Sequence, residues 1–325
     1  MKALMILLLT MMMCSSCTAL PAEERAFAVA LCVEKNGAWH VHGRIPTYQS
    51  GGGYMTVSGE GDSLSSALSD MDAAAPMRIN LSQLRLLIAD KKLAQNGELS
   101  AVLTALADRP DMRMQCVVAL TEESVKAAAE ALNPVAGARL SKAIDLMLDA
   151  RIEQGAILPA PLSDVLRMGV RQAPVLVGMS VEEQKIALSG GYAMDGMYLN
   201  KDEIALLSLL LGHTKTLRLN LPAGSADVRD VSAKIRLSQD FTTARVELTM
   251  NVTSSTYTEI GLEKALADSL LALLTRLAAA DCDALGLGRQ TVMHAHDMAQ
   301  WHAMNWPEKY RGIRWEVAVG VDGTA

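Results

Sequence analysis

Alternating apolar and polar positions predict a β-hairpin at the start of the folded chain. Every second residue over 27–33 is apolar, and Asn36 with Gly37 forms a dipeptide that two-residue hairpin turns prefer. The alternation resumes on the far side of this turn, at Trp39 and Val41. The intervening residues of the first strand, Ala28, Ala30 and Cys32, are apolar too, so we expect this strand to be covered on both faces.

Strand patterns and helical patterns then alternate along the next part of the chain. Ser63 is predicted to cap a short helix that begins at Leu64, and Thr121 is predicted to cap a later helix. The three glycines at 51–53 are predicted to form a flexible loop, since no P-loop lysine follows them. This alternation indicates an α/β arrangement with crossovers on a sheet. The strand patterns cover 84–90 and 112–120, and the helical patterns cover 98–108 and 122–132.

The second half of the chain begins with a helical stretch and continues with strands. Residues 136–172 have a helical pattern that Pro159 and Pro161 interrupt. Asn200 and Glu203 have the spacing of a capping box at the start of a helix that Gly212 can close. Strand patterns cover 175–181, 184–199 and 313–321, a hairpin pattern covers 231–254, and a long helical pattern with a leucine stripe covers 262–281.

Together these patterns predict an α/β (α+β) protein of several domains, with mixed β-sheets flanked by helices. A chain of 325 residues is long enough for two or three compact domains. The predicted division is a signal peptide at 1–16, an N-terminal α/β domain at 17–135, a helical middle segment at 136–178 and a C-terminal α/β domain at 179–325.

The N-terminus is predicted to be a secretory signal peptide with a lipid attachment site. Lys2 precedes an apolar run over 3–13, which is shorter than the about 20 residues of a membrane-spanning helix. Two serines stand directly before Cys17, as in a bacterial lipobox, and predict that Cys17 is lipidated and anchors the protein to a membrane. Cys14, which follows the bulky Met13, is one alternative. An ordinary cleaved signal followed by a free or disulfide-bonded cysteine is the other.

Charge and cysteine content narrow the remaining function classes. The formal net charge is −6, and no run of clustered Lys and Arg appears, so we expect no nucleic-acid partner. Cys32, Cys116 and Cys282 are scattered and form no C-x-x-C pair. We therefore expect them to be small buried apolar residues and not parts of a disulfide framework.

The stretch 280–306 concentrates the candidate metal ligands of the chain. Cys282 could bind zinc together with three histidines, because thiolate and imidazole are the usual zinc ligands. No H-E-x-x-H motif or cysteine pair accompanies them, and Met298 and two tryptophans crowd the same segment. We therefore favour a packing role and predict no metal. The histidines are His294, His296 and His302.

Two other motifs also have structural interpretations. Gly286 and Gly288 follow a helix, whereas the glycines of a dinucleotide-binding motif follow a strand, so we expect them to end the long helix. His40 and His42 alternate along a hairpin strand, and we expect them at the surface.

No catalytic constellation emerges from the sequence. The chain lacks G-x-S-x-G, and no pair of carboxylates lies in an apolar context. Arg109, Asp111 and Arg113 are predicted to form a local ion-pair and turn network before a strand. We therefore predict a protein that is not an enzyme and needs no cofactor.

Several stretches, taken in order, resemble the C-subunit lipoproteins of nutrient germinant receptors in spore-forming bacteria, the Ger(x)C family. The resemblance begins at Cys17 and includes "RAFAVALCVE", "GEGDSLSSAL" and "LRLLIADKKLAQNG". It continues through "LADRPDMRMQCVVAL", with its Arg-x-x-x-Arg turn, and through "LSGGYAMDGMYLNKDEIALLSLLLG". The segment from Asp281 to Trp306 is similar to the family's closing pattern of Asp, two glycines and tryptophans.

The resemblance implies a fold, a location and partners. Such proteins have several α/β domains with mixed sheets and lie on the outer face of the spore inner (cytoplasmic) membrane. They act with a membrane-embedded A subunit and a transporter-like B subunit to sense nutrients, and no catalytic residues are known for them. The alternatives are a lipid-anchored extracytoplasmic solute-binding protein, which the scarcity of aromatic residues disfavours, and a zinc hydrolase that would use the histidine-rich segment.

Overall fold

A computed structural model describes residues 25–47, 53–133, 139–168, 174–293 and 298–324. The predicted signal peptide, Gly51, Gly52, His294 and His296 lie outside these residues. The strands are β1 (Arg25–Phe27), β2 (Ala30–Asn36), β3 (Ala38–Thr47), β4 (Gly53–Gly61), β5 (Arg78–Asn80), β6 (Leu86–Asp90), β7 (Val117–Thr121), β8 (Val175–Glu182), β9 (Lys185–Ala193), β10 (Tyr198–Leu199), β11 (Leu217–Leu221), β12 (Gly224–Leu237), β13 (Thr243–Ser255) and β14 (Arg314–Thr324).

Helices pack against these strands along the whole described chain. They are α1 (Leu64–Ala74), α2 (Lys91–Gln95), α3 (Leu99–Ala107), α4 (Val125–Ala131), α5 (Leu140–Glu153), α6 (Leu162–Met168), α7 (Lys201–Leu210), α8 (Glu259–Ala279), α9 (Leu287–Val292), α10 (Met298–Ala303) and α11 (Trp306–Arg311). The predicted class, an α/β chain with mixed sheets flanked by helices, is therefore confirmed.

Two larger sheets organise the fold. One has eight strands in the order β10-β9-β8-β7-β6-β2-β3-β4, with parallel pairing in its centre and antiparallel pairing at both ends. The other has four strands in the order β11-β12-β13-β14, and β14 runs parallel to β13. A short parallel pair joins β1 to β5. Every residue of β6 is buried, as expected for a strand covered on both faces.

Buried apolar residues form two clusters. The first extends from Ala26 to Tyr192 and fills both faces of the eight-stranded sheet. The second extends from Leu158 to Val321 and lies between the four-stranded sheet, α7 and α8. The strands over 175–199 belong to the same sheet as β2–β7. The domain boundaries at 135 and 178 stay a prediction.

Several local predictions are confirmed by the structure. The hairpin turn contains Gly37, whose φ of 74° is the left-handed value that glycine adopts without strain. Ser63 caps α1, and Asn200 and Glu203 form the capping box of α7. The leucine stripe of the long helix is buried along α8.

Four predictions of secondary structure are wrong in detail. The strand predicted from residue 27 is interrupted, because Ala28 and Val29 donate their N–H groups to other strands. Gly53 begins a strand, β4, instead of completing a loop. The strand predicted from residue 112 begins only at Val117. Ser124, not Thr121, caps α4, since its hydroxyl accepts from an N–H in the first turn.

Among the described residues, no helix is both long enough and apolar enough to cross a lipid bilayer.

Candidate functional site

The lipidation site predicted at Cys17 lies outside the described residues and stays a prediction. Among the other candidate positions identified from the sequence, Cys14, Gly51, Gly52, His294 and His296 also lie outside the described residues, and the rest fall within them. Their surroundings decide which of them could bind a ligand and which stabilise the fold.

The closing segment is organised around the buried carboxylate of Asp283. Its Oδ1 accepts from the Leu287 N–H at 2.9 Å, and its Oδ2 accepts from the Gly288 N–H at 2.6 Å and from Trp306 Nε1 at 3.1 Å. Gly286 has a φ of 71° just before α9, so the chain turns tightly around the carboxylate. This arrangement brings the aspartate, the backbone at the two glycines and the tryptophan of the closing segment together.

The prediction that Gly286 and Gly288 end the long helix is therefore wrong. The helix α8 ends at Ala279, with Ala280 as its C-cap and Asp281 in the left-handed region at φ 54°. Gly286 instead precedes α9. The two glycines were assigned to the end of α8 and not to the start of α9, because the turn between these helices has no distinctive sequence pattern.

Burial makes the titratable groups of this segment poor nucleophiles. Burial raises the pKa of the Cys282 thiol to about 12, with smaller contributions from the charges of Asp195 and Asp283. Burial also raises the pKa of Asp283, against the hydrogen bonds that it accepts. The Tyr310 hydroxyl donates to the Cys282 carbonyl at 3.0 Å and closes the segment from one side. These contacts stabilise packing.

The structure does not support a zinc site built on Cys282 and His302. Cys282 is buried in the second core cluster, whereas His302 is exposed with its ring against Trp301. Within the described residues, no three Cys, His, Asp or Glu side chains lie close enough to hold a metal ion.

The Gly-Glu-Gly segment is a contact between a helix and a strand. A Cβ atom at Gly59 would overlap the backbone of Ala67 and Met71 on α1, so only glycine fits. Between the two glycines, Glu60 donates its N–H to the carboxylate of Asp70 at 2.9 Å. This segment therefore docks α1 on β4 and offers no phosphate cradle.

His42 is buried, and the surface position predicted for it is wrong. Its Nδ1 lies 2.7 Å from the Ser58 hydroxyl, and its Nε2, which has no hydrogen-bond partner, lies 3.9 Å from the Glu34 carboxylate. Burial lowers the pKa of His42, and the charges of Lys126 and His40 lower it further, against Glu130. The sequence could not show that α4 covers this face of the sheet.

Of the ion-pair network predicted for Arg109, Asp111 and Arg113, the pair between Arg109 and Asp111 is confirmed. Arg109 donates to both carboxylate oxygens, at 3.1 and 3.2 Å, and the Leu81 N–H donates to one of them at 3.2 Å. Burial alone would raise the pKa of Asp111, but the hydrogen bonds and the charge of Arg109 outweigh this effect and hold the pKa below its usual value. The cluster ties the loop before β7 to the loop after β5 and so stabilises the fold.

A polar cleft between α7, α8 and the β11–β12 turn was not predicted from the sequence. It has a volume of about 470 Å³. Arg276 spans one wall, donating to Glu203 Oε2 and to the Tyr198 carbonyl, both at 2.9 Å. Asn220 donates to Asp202 at 3.2 Å across the opposite wall. The cleft presents two carboxylates and one guanidinium, which could bind a small polar molecule.

Comparisons with known proteins place the chain in a family. A model of the spore germination protein N-terminal domain matches residues 20–180, which include β1–β7 and most of β8. The solved structure titled "Crystal Structure of the GerBC protein" superposes with a TM-score of 0.55 at 14% sequence identity, covering 90% of this chain and 97% of that chain. At this identity the superposition shows a shared fold. No curated protein matches the chain in sequence. The chain belongs to the Ger(x)C family of spore germination proteins.

Proposed function

We propose that this protein is the lipoprotein C subunit of a nutrient germinant receptor and acts in spore germination. The observation that carries the proposal is the match of the spore germination N-terminal domain over residues 20–180. The shared fold with GerBC over 90% of this chain supports it further. Burial raises the pKa values of the Cys116 and Cys282 thiols, which disfavours these two residues as nucleophiles.

The proposal includes an anchor at Cys17, which would hold the protein on the outer face of the spore inner membrane. Two acyl chains on one cysteine bind a membrane stably, whereas one chain binds it only marginally. Metabolic labelling with a fatty-acid probe tests this anchor directly. Labelling should be sensitive to globomycin and absent from Cys17→Ala, while Cys14→Ala should keep it. Labelling that survives in Cys17→Ala would refute the assignment.

The proposed partners are the membrane-embedded A subunit and the transporter-like B subunit of the receptor. We expect an affinity-tagged chain to recover both subunits from detergent-solubilised spore inner membranes. A tagged Cys17→Ala chain is the control for recovery that depends on anchoring alone. Recovery of neither subunit after mild cross-linking would count against the receptor role.

The second candidate function is that of a lipid-anchored solute-binding protein, and the polar cleft favours it. Arg276 could receive a carboxylate, and Asp202 with Glu203 could receive an ammonium group, so a zwitterion would fit the charges. Thermal-shift screening against amino acids and sugars tests this function. A ligand-induced rise in melting temperature should disappear in Arg276→Ala and persist in Arg218→Ala, which lies on the neighbouring strand β11. The absence of any shift would remove this candidate.

A further inference from the structure

Within the described chain, one side of the strand β14 has no partner strand. Among the described residues, β14 pairs with β13 alone and forms the edge of the four-stranded sheet. The Arg314 N–H donates to the Thr242 carbonyl at 2.9 Å, toward β13. The Val321 N–H instead donates to the Glu263 carboxylate at 3.1 Å, on α8. The two amides therefore point to opposite sides of the strand.

This alternation identifies the backbone groups that face outward. Residues two apart along a strand direct their backbone groups to the same side. Trp315, Val317 and Val319 therefore present their N–H and C=O groups away from β13, as Val321 does. Glu263 covers only the last of these positions. An edge strand of 11 residues without proline is a template for pairing with another strand.

The helix beside this edge exposes an apolar flank in the same direction. Glu263 reaches the outer amide of β14, and Ile260 and Ala267 lie three and four residues from it, on the same flank of α8. Leu271 lies one turn beyond Ala267. Ile260 is 79% exposed and Leu271 is 41% exposed, although both are large apolar residues. The strand edge without a partner and the exposed side chains of Ile260 and Leu271 thus lie on the same side of this sheet-and-helix layer.

We propose that this surface binds a second copy of the same chain. The β14 strands of the two copies would pair antiparallel about a two-fold axis, which joins the two four-stranded sheets into one. Charge complementarity favours this occupant. With the axis at Ala318, the exposed Arg314 of each copy lies opposite the exposed Asp322 of the other. Moving the axis to Glu316 would place two like charges opposite each other, which destabilises a pair.

The register also satisfies the outward backbone groups. An axis at Ala318 sets Val317 opposite Val319 of the second copy, and Trp315 opposite Val321. All four are positions whose backbone groups face outward, as a hydrogen-bonded antiparallel pair requires. The Val321 N–H would exchange its bond to Glu263 for one to the Trp315 carbonyl of the second copy. On the helical side, Leu271 of each α8 would approach the apolar flank of the other, where its burial stabilises the dimer.

A cysteine at position 318 tests the register. In this arrangement the two copies of residue 318 form a non-hydrogen-bonded pair with Cα atoms about 4.5 Å apart, within the about 4.4–6.8 Å that a disulfide spans. The test uses the full chain with Cys14→Ser and Cys17→Ser; the thiols of Cys32, Cys116 and Cys282 are buried. Under mild oxidation, Ala318→Cys should form a covalent dimer. Thr249→Cys, exposed on β13 beside Gly320, should not.

Substitutions on the helix flank test the surface without touching the strand. Light scattering of the full chain with Cys14→Ser and Cys17→Ser should give about twice the chain mass of 34.8 kDa. Leu271→Glu should weaken dimerisation by at least about tenfold, because it buries a charge without a partner. Ala272→Glu, exposed on the opposite flank beside the polar cleft, should leave the mass unchanged.

Two results would overturn the proposal. One is a monomer mass at every concentration tested, together with equal cross-linking of Ala318→Cys and Thr249→Cys. The other is cross-linking of Ala318→Cys, in spore membranes, to a different polypeptide and not to itself. That result would assign the edge to a heterologous strand.

Discussion

Replacement of Asp283 by alanine should destabilise the second core cluster. The carboxylate is 4% exposed and accepts hydrogen bonds from the N–H groups of Leu287 and Gly288 and from the indole of Trp306. A buried donor that loses its acceptor costs about 1–3 kcal/mol. Removing the carboxylate also relieves its own cost of burial, and water can enter the vacated space. We therefore expect the free energy of unfolding to fall by about 3–5 kcal/mol in all.

Urea unfolding followed by tryptophan fluorescence measures this loss, because Trp301, Trp306 and Trp315 lie in the affected region. Asp281→Asn is the matched control, because asparagine tolerates the left-handed backbone that Asp281 adopts at φ 54°. Asp281 belongs to the same segment and pairs with Arg311 at 2.8 Å, but both side chains are well exposed. An exposed ion pair contributes only about 0–1 kcal/mol.

A double-mutant cycle separates the hydrogen bond from general disruption. Trp306→Phe removes one donor, so in the cycle with Asp283→Ala we expect a coupling of about 1–2 kcal/mol. Burial raises the pKa of Asp283, so the stability that it contributes is largest at acidic pH and falls as pH rises through the raised value. Equal midpoints for Asp283→Ala, Asp281→Asn and the wild type would refute the role of the carboxylate as an acceptor.

Three further predictions concern other parts of the fold. Gly59→Ala should lower the free energy of unfolding by about 3 kcal/mol or more in a urea titration, because α1 must move. In the control Gly312→Ala, the nearest atom is 3.6 Å from the new Cβ, and the change should be less than about 1 kcal/mol. Burial lowers the pKa of His42, so the stability that the neutral ring provides should be lost as pH falls below 6.5. The thermal unfolding of His42→Gln should therefore depend less on pH in that range than that of the wild type. Burial raises the pKa values of Cys116 and Cys282 to about 12, so neither should react with a thiol reagent at pH 8 until the protein unfolds. Rapid reaction in the native state would contradict their burial.

Local patterns in the sequence were sufficient where one short segment determines the structure. Asn36 and Gly37 form their turn within the hairpin, and Asn200 with Glu203 caps α7 through bonds inside one helical turn. The leucine stripe of α8 follows from helical periodicity alone. Features of this kind depend on neighbours within about four residues, and the sequence displays those neighbours directly.

The features that the sequence did not reveal depend on distant residues. Position 59 requires glycine because α1 packs on β4 there, and no local pattern predicts that contact. His42 was placed at the surface because α4, far along the chain, covers its ring. Asp283 binds Trp306, 23 residues away.

The polar cleft is another such feature. Arg276 meets Glu203 across 73 residues of sequence, and neither residue has a local motif that predicts the contact. The family could nevertheless be inferred from the sequence, because many short stretches that each resemble the family only weakly occur in the same order as in the family.

The most direct test of the receptor role is germination of spores that lack this gene. If the protein is a germinant-receptor C subunit, these spores should form normally but respond poorly to at least one nutrient. A wild-type copy should restore the response, and a Cys17→Ala copy should restore it only weakly. Germination at the wild-type rate with every nutrient tested would contradict the proposed function.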